Sequence, residues 1–333
     1  MQIRLSQLDG KLPNLALMKL SAWHRARGDS VHYFSGARAA ERDIFEPDYD
    51  RVYGSAIFKF SEPLLAKFQQ TFPAAIIGGT GTGDPQTVES LIGQTFERYD
   101  YSITRDFDAS IGFTQRGCRL ACKFCVVPTK EGKPRSVNTI ADIWRGAPHP
   151  KHLHFLDNDF FGQPEPEWRA RIAEIRDGGF KVSFTQGINV RAVTPDVAAA
   201  IASIQYRDDG FTRRRLYTAW DNLKDEEIFF RGVDLLEAAG VPPSHLMAFM
   251  LVGFDKRETP ERMFHRFNRM VARGIRPYPM VYDRTRRDLK AFARWVITGL
   301  YRAIPFDQYD VSIKRRAAKP ALAANPSELF RGG

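Results

Sequence analysis

Short apolar runs alternate with segments of helical periodicity over the first hundred residues of the chain. From Leu15 to Arg27 the apolar residues recur at helical spacing, and Gly28 follows as a candidate C-cap. Alternation of strand and helix is typical of an α/β fold with a doubly wound parallel sheet. We therefore expect residues 1–100 to form one such domain. Its strands are predicted at Ile3–Ser6, Ser30–Phe34, Arg51–Ile57 and Ala74–Ile77.

The alternation begins again after Asp100 and continues to residue 290. Helical segments such as Glu165–Arg176 and Pro195–Ala202 separate six predicted strands. This pattern predicts a partial (β/α)6 barrel over residues 105–290 rather than a complete eightfold barrel. Residues 291–333 are expected to form a basic helix and tail. The six strands are predicted at Ser110–Thr114, His152–Leu156, Lys181–Phe184, Leu216–Ala219, Met247–Val252 and Pro279–Tyr282.

Polar side chains follow three of these strands at the points where the strands end. Asp157 and Asp159 follow the second barrel strand, Gln186 and Arg191 follow the third, and Asp221 follows the fourth. In parallel barrels the chemistry takes place at the carboxyl ends of the strands, so these residues are candidates for a binding site. Residues of the same types also cap helices and close turns, which is the structural alternative.

The positive charge of the chain is unevenly distributed along the sequence. The hydrophobic fraction of 43% and the charged fraction of 26% are ordinary for a globular protein, and the net charge is +10. From residue 284 to the end there are eleven Lys or Arg against four Asp or Glu. This region is either a solvated surface and tail or a footprint for nucleic acid or another polyanion. Its two clusters are Arg284, Arg286, Arg287 and Lys290, and Lys314, Arg315, Arg316 and Lys319.

No membrane segment is predicted. The chain has no apolar run of membrane-spanning length, and its first residues lack the basic-then-apolar layout of a signal peptide. All three cysteines lie within eight positions, which leaves none for disulfide bridges. We therefore expect a cytoplasmic protein whose thiols stay reduced.

The three cysteines are the most specific chemical feature of the chain. Cys118, Cys122 and Cys125 have CxxxCxxC spacing directly after a predicted strand, and Gly117 permits a tight turn before them. Three thiolates are one short of the four that close an iron–sulfur cube or a structural zinc site. The position left open is available to an exogenous ligand.

The residues around the cysteine loop allow two interpretations of its metal chemistry. The basic residues Arg116, Arg119 and Lys123 are expected to favour thiolates and an anionic cluster. A zinc site is the competing chemistry and would need a fourth ligand from distant histidines. The nearest of these are His149, His152 and His154.

The segment from Gly117 to Cys125, with Phe124 before the last cysteine, resembles the CxxxCxΦC loop of the radical S-adenosylmethionine (SAM) enzymes. The resemblance implies a [4Fe–4S] cluster on the three thiolates and SAM chelating the fourth iron. It also implies a one-electron reductant of the flavodoxin or ferredoxin type. Reductive cleavage of SAM then gives a 5′-deoxyadenosyl radical.

The same resemblance suggests roles for the strand-end residues. Asp157 or Asp159 takes the place of the family's Gly-Gly-Glu motif, which contacts the SAM amino group and which this chain lacks. Gln186 and Arg191 follow the third strand, where Arg191 is suited to pair with the SAM carboxylate. Asp221 resembles a ribose contact. The segment Leu251, Val252, Gly253 and Phe254 resembles the lining of the adenine pocket, while Phe124 is the loop aromatic.

The order of domains resembles that of the cobalamin-dependent radical SAM proteins, with an N-terminal Rossmann-like domain. The Asp-x-His-x-x-Gly motif that supplies a cobalt ligand is absent from the first loop, residues 7–13, and only the glycines of residues 78–83 suggest a cofactor tail. Cobalamin binding and a degenerate scaffold therefore both remain open.

The absence of further cysteines restricts the reaction class to a single-cluster enzyme, either a methyltransferase or a hydrogen-abstracting enzyme. The basic C-terminal region favours a nucleic acid or a phosphorylated molecule as substrate, with a peptide or another small molecule as the alternative. The alternative from another class is a non-catalytic nucleic-acid-binding protein stabilised by zinc or an Fe–S cluster.

Overall fold

The computed structural model describes residues 1–84, 86–94, 96 and 98–311. The chain divides into two compact units, residues 1–111 (unit 1) and residues 112–333 (unit 2). The architecture is α/β, as the hydrophobic pattern predicts. The second basic cluster of the tail, Lys314 to Lys319, lies outside the described residues. Within the described ranges no helix is long and apolar enough to cross a membrane.

Unit 1 contains a parallel sheet in the order β2-β1-β3-β4. This is the doubly wound arrangement expected from the sequence. Its elements are β1 (Gln2–Gln7), α1 (Leu15–Ala26), β2 (Ser30–Ser35), β3 (Arg51–Ser55), α2 (Glu62–Thr71), β4 (Ile76–Gly78) and α3 (Val88–Ile92).

Local chemistry explains the first strand–helix connection of unit 1. The side chain of Asn14 accepts hydrogen bonds from Ala16 N and Leu17 N and so caps α1. Leu17 then packs with Ile3 and Leu5 of β1 in a buried cluster. The cap fixes where the helix begins, and the apolar stripe fixes which face turns to the sheet.

Unit 2 contains parallel strands separated by helices, together with one small antiparallel hairpin. Its strands are β5 (Ser110–Gly112, at the division between units), β6 (Gln115–Arg116), β7 (Arg135–Ser136), β8 (His152–Phe155), β9 (Lys181–Phe184), β10 (Gln205–Tyr206), β11 (Leu216–Ala219), β12 (Leu246–Val252) and β13 (Arg276–Val281). Its helices are α4 (Val127–Lys130), α5 (Ile140–Ile143), α6 (Glu165–Asp177), α7 (Pro195–Ala202), α8 (Glu226–Ala238), α9 (Pro260–Ala272) and α10 (Arg287–Ile297).

Two parallel sheets make up the framework of unit 2, in the orders β10-β9-β8-β5 and β11-β12-β13. The backbone joins them where β9 ends, because Ile188 N donates to Tyr217 O at 2.8 Å. The hydroxyl of Thr218 donates back to Ile188 O at 3.1 Å. The loop after β9 thus lies directly against β11.

Strand β12 shows how the sheet divides its two faces. Ala248 and Met250 are fully buried in the hydrophobic core shared with the helices. Phe249 points to the opposite face, where its ring lies against those of Tyr217 and Tyr278 on the neighbouring strands. The alternation along β12 therefore separates a helix-covered core from an aromatic face.

Two predicted strand bounds differ from the structure for identifiable reasons. The third strand ends at Ser55 rather than Ile57, because the carboxylate of Asp9 accepts the backbone N–H groups of Ile57 and Phe58. The last strand begins at Arg276 rather than Pro279. It tolerates its prolines because β13 is the edge of its sheet.

Candidate metal centre

The cysteine loop lies inside the β6–β7 hairpin, which follows β5 along the chain. Gly117 has φ +82°, and a Cβ there would lie 2.5 Å from the carbonyl carbon of Lys133 across the hairpin. Cys118 N donates to Gly132 O at 3.2 Å. The tight turn expected at Gly117 is confirmed, and only glycine fits it.

The three thiols are free and half-buried. Cys125 N donates to Cys122 O at 3.0 Å, and Leu120 N donates to Cys118 Sγ at 3.4 Å. Burial raises the pKa of Cys118 and of Cys125, and the neighbouring thiol of Cys122 raises both further. The thiols are therefore close enough to influence one another electrostatically.

The positive charges of the loop do not act as the sequence suggested. The guanidinium of Arg119 forms a two-pronged ion pair with Asp159, at 2.7 and 2.9 Å. Arg116 forms a similar pair with Glu131, at 3.0 and 2.9 Å. The expectation that Arg116 and Arg119 favour thiolates was wrong, because carboxylates pair with both and the pKa of Cys118 is raised. That the loop favours an anionic cluster stays a prediction.

Glu131 is a site residue that sequence reasoning missed. Besides Arg116, its carboxylate accepts Gly117 N at 3.1 Å and the side-chain amide of Asn158 at 2.8 Å. It therefore ties the start of the cysteine loop to the segment after β8. The only signal in the sequence is an acidic residue six positions after the last cysteine, beside Gly132.

Asp157 is buried, and its carboxylate bonds to the segment that follows β5. It accepts Thr114 N at 2.7 Å and Gln115 N at 3.2 Å, and the Thr114 hydroxyl also donates to it. Burial raises the pKa of Asp157 to about 7 although these hydrogen bonds oppose the shift. The residue joins the carboxyl ends of two neighbouring strands.

Asp159 is 1% exposed and fixes the cysteine loop itself. Its Oδ2 accepts the backbone N–H of Arg119 at 3.3 Å in addition to the side-chain pair. Its own N–H donates to Gln115 Oε1 at 3.0 Å, while the Gln115 amide donates to Arg116 O and Gly117 O. Gln115 and Asp159 thus form hydrogen bonds with the backbone before and after Cys118.

Phe124 contacts a residue that follows the sheet β11-β12-β13 of unit 2. Its ring meets Phe254 edge-on with centroids 5.4 Å apart, and Phe254 in turn meets Tyr282 at 4.9 Å. Phe254 and Tyr282 directly follow β12 and β13. The loop is therefore held by residues from the ends of three strands.

The remaining candidates are Asp221, Arg191 and Gln186, and Arg191 acts electrostatically on Asp221. Asp221 acts electrostatically on Cys125, and its Oδ1 accepts Leu251 N at 3.0 Å. Burial raises the pKa of Asp221. Arg191 forms an ion pair with Asp225 at 2.7 Å, and Gln186 is exposed.

The histidines of the zinc alternative have other neighbours. His152 stacks on Phe211 with centroids 4.4 Å apart, and His154 meets the same ring edge-on at 4.8 Å. His152 is the first residue of β8, at the opposite end of that strand from Asp157. Across the described part of the chain, no three His, Cys, Asp or Glu side chains converge closely enough to bind one metal ion.

The donor set fits the cluster implied by the cysteine spacing. A cube binds each protein thiolate on a different iron, so the three thiols need not converge on one point. Here three free thiols lie on one short loop, and buried carboxylates fix the backbone at its start. Cys118, Cys122 and Cys125 would hold the cluster.

The glycines of residues 78–83 differ in their surroundings. A Cβ at Gly81 would lie 2.6 Å from Phe58 O, and a Cβ at Gly79 (φ +107°) would clash with Ala56 O, whereas a Cβ at Gly78 or Gly83 would meet nothing within 4 Å. The side chain of Gln7 lies within the first loop, where it donates to Gly10 O and Leu12 O. Two of the four glycines therefore serve the packing of the chain on itself, and cobalamin binding by unit 1 stays a prediction.

Comparison with models of known protein families and with curated proteins finds no match to this chain.

Proposed function

We propose that this chain is a radical SAM enzyme that holds a single [4Fe–4S] cluster on Cys118, Cys122 and Cys125. The observation that carries the proposal is the CxxxCxΦC loop, anchored at the carboxyl ends of parallel strands by Asp159 and Glu131. Hydrogen bonds of this kind orient metal ligands from outside the first coordination shell.

The strand arrangement supports the same proposal. The parallel strands β5, β8, β9, β11, β12 and β13 alternate with helices along the chain. The hydrogen bond from Ile188 N to Tyr217 O links the two sheets between β9 and β11. These six strands are the ones that a partial (β/α)6 barrel needs.

When bound, the cluster would supply one electron for cleavage of SAM, delivered by a flavodoxin- or ferredoxin-type reductant. The chain's own residues position and shield the site. We assign Asp157 and Asp159 to positioning, because their carboxylates already bond to the protein. Phe124 and Phe254 exclude water on one side of the loop, and Asp221 is the candidate for a ribose hydroxyl because it follows β11 and acts electrostatically on Cys125.

The charge near the same strand ends supports a polyanionic substrate. Arg284, Arg287 and Lys290 follow β13 and are exposed. Lys123 in the cysteine loop and Lys256 after β12 are exposed as well. Several exposed cations at one edge of the strands attract a nucleic acid or a phosphorylated molecule.

Anaerobic reconstitution with iron and sulfide tests the proposal. We expect a brown protein with about four irons per chain, and 5′-deoxyadenosine after addition of dithionite and SAM. Cys122→Ser should lose both iron and product while the far-ultraviolet circular dichroism stays unchanged. Thr129→Ala, a matched exposed control just after the loop, should retain both.

A different outcome would favour the other class of function. A colourless, air-stable zinc protein that makes no 5′-deoxyadenosine would identify a non-catalytic, metal-stabilised nucleic-acid-binding protein. Loss of the fold in Cys122→Ser would likewise indicate a structural metal.

A further inference from the structure

Two apolar side chains of unit 1 are almost fully exposed to solvent. Ile44 is 90% exposed and Phe45 is 89% exposed. They occupy the tip of a tight turn in which Glu46 N donates to Asp43 O at 3.1 Å and Phe45 N donates to Asp43 Oδ1 at 3.0 Å. We call Ile44 and Phe45 the knob.

A buried arginine holds this turn in place. Arg4, on β1, is fully buried and forms an ion pair with Glu46. It also donates to Arg38 O at 3.1 Å and to Glu41 O at 2.6 Å, so it fixes the whole segment before the knob. Its guanidinium lies 3.7 Å from the centre of the Phe34 ring. Burying a charge is unfavourable unless it is well paired, and here the pairing holds a turn that exposes apolar side chains.

A cleft lies beside the same segment. It has a volume of about 510 Å³, and its lining includes Val52, Phe72, Ala74 and Ile76. This volume is within the range of small binding sites, roughly 300–1,000 Å³, and exceeds what one Ile and one Phe side chain fill. The cleft can therefore take the knob.

The charges around knob and cleft are complementary. Asp43 and Asp48 flank the knob and are exposed, while Arg42 and Arg51 lie at the cleft and are exposed too. Asp50 also lines the cleft, but its carboxylate already accepts Gln2 N at 2.6 Å. Arg42 pairs with Asp48 at 2.6 Å within the chain, but both side chains are solvated. An exposed pair of this kind contributes little and is readily exchanged for an equivalent pair between two molecules.

We propose that a second copy of this chain occupies the cleft, so that each copy inserts Ile44 and Phe45 into the other about a two-fold axis. Arg42 and Tyr49 line the cleft and also bound the segment that carries the knob. Knob and cleft are therefore adjacent on one surface, as a self-complementary interface requires. The two contacts form together and bury both exposed apolar pairs. The proposal does not depend on the metal chemistry of unit 2.

Sedimentation equilibrium of the full chain at tens of micromolar tests the proposal. We expect a dimer, which the double variant Ile44→Ser/Phe45→Ser (knob variant) and Ala74→Arg (cleft variant) each weaken by at least about tenfold, as loss of a central apolar contact does. All three side chains are exposed, so neither variant removes a core contact. Phe58→Ser, at another exposed apolar position of unit 1, should leave the dimer intact.

Mixing the two variants distinguishes this interface from others. The knob variant keeps its cleft and the cleft variant keeps its knob, so an equimolar mixture restores one of the two contacts. We expect more dimer in the mixture than in either variant alone at the same total concentration. A monomeric parent chain, a dimer that resists both variants, or a mixture that dimerises no more than the separate variants would each overturn the proposal. Binding of the knob to lipid vesicles by a monomeric chain would do so as well.

Discussion

At the scale of single residues, two carboxylates after β8 differ in what surrounds them. Asp159 meets a guanidinium, whereas Asp157 meets only neutral donors, namely Thr114 and the backbone N–H of Gln115. Burial therefore raises the pKa of Asp157 to about 7. Because this folded-state pKa exceeds that of the unfolded chain, Asp157 contributes stability that is complete at acidic pH and is lost as the pH rises through 7.

The pH dependence of unfolding tests this assignment. Between about pH 4 and pH 8 the free energy of unfolding should lose up to about 4 kcal/mol through Asp157. Asp157→Asn should remove this contribution and so make the slope less steep than in the parent chain, because an amide takes the place of the protonated acid. Urea titrations followed by tryptophan fluorescence measure it, since four of the five tryptophans are in unit 2. Asp196→Asn, at an exposed carboxylate, is the control, and a slope in Asp157→Asn equal to that of the parent chain would contradict the assignment.

At the scale of elements, the β6–β7 hairpin determines the shape of the cysteine loop. Two of its glycines, Gly117 and Gly132, have positive φ, at +82° and +75°. They differ in their surroundings, because a Cβ at Gly117 would strike the backbone of Lys133 whereas a Cβ at Gly132 would meet nothing within 4 Å. Substituting each glycine in turn therefore distinguishes the effect of backbone strain from the effect of a steric clash.

Gly117→Ala should open the hairpin and prevent the loop from binding iron after reconstitution. Gly132→Ala carries the same conformational strain, about 1 kcal/mol, and should bind iron normally with a small loss of thermal stability. Iron content and the melting temperature of both variants measure the difference. Equal iron binding by the two variants would show that the close approach at Gly117 is unimportant.

The hairpin also shows how far a sequence can be interpreted. The turn at Gly117, the strands and the helix α7 follow from local patterns of apolar residues, Gly and Pro, so they were predictable. The partners of Arg119 and Arg116 were not, because Asp159 is forty positions away and Glu131 fifteen. Charge pattern alone cannot tell an arginine that faces a thiolate from one already paired with a carboxylate. Arg191 shows the same limit, since its partner Asp225 belongs to another strand–helix connection.

At the scale of the whole molecule, each unit has its own hydrophobic core. The large core of unit 2 includes Phe229 of α8, whereas a smaller core of unit 1 includes Phe68 of α2. Both side chains are fully buried. Since the cores share no residue among those described, a cavity in one should act first on its own unit.

Phe68→Ala and Phe229→Ala test this separation. Each should cost about 3–5 kcal/mol in its own unit. Hydrogen exchange followed by mass spectrometry should show faster exchange in residues 1–111 for Phe68→Ala and in residues 112–311 for Phe229→Ala. Equal acceleration in both units by either variant would mean that they unfold as one.

The anchoring of the cysteine loop has a consequence for how the protein is made. The cysteines leave the ribosome before Asp159, which fixes Arg119, and well before Phe254 and Tyr282, which pack behind Phe124. Domains fold as units once their sequence is complete. A metal offered to the growing chain would meet three thiols with no fixed arrangement, so the proposed cluster would have to be inserted after the last strand has been synthesised.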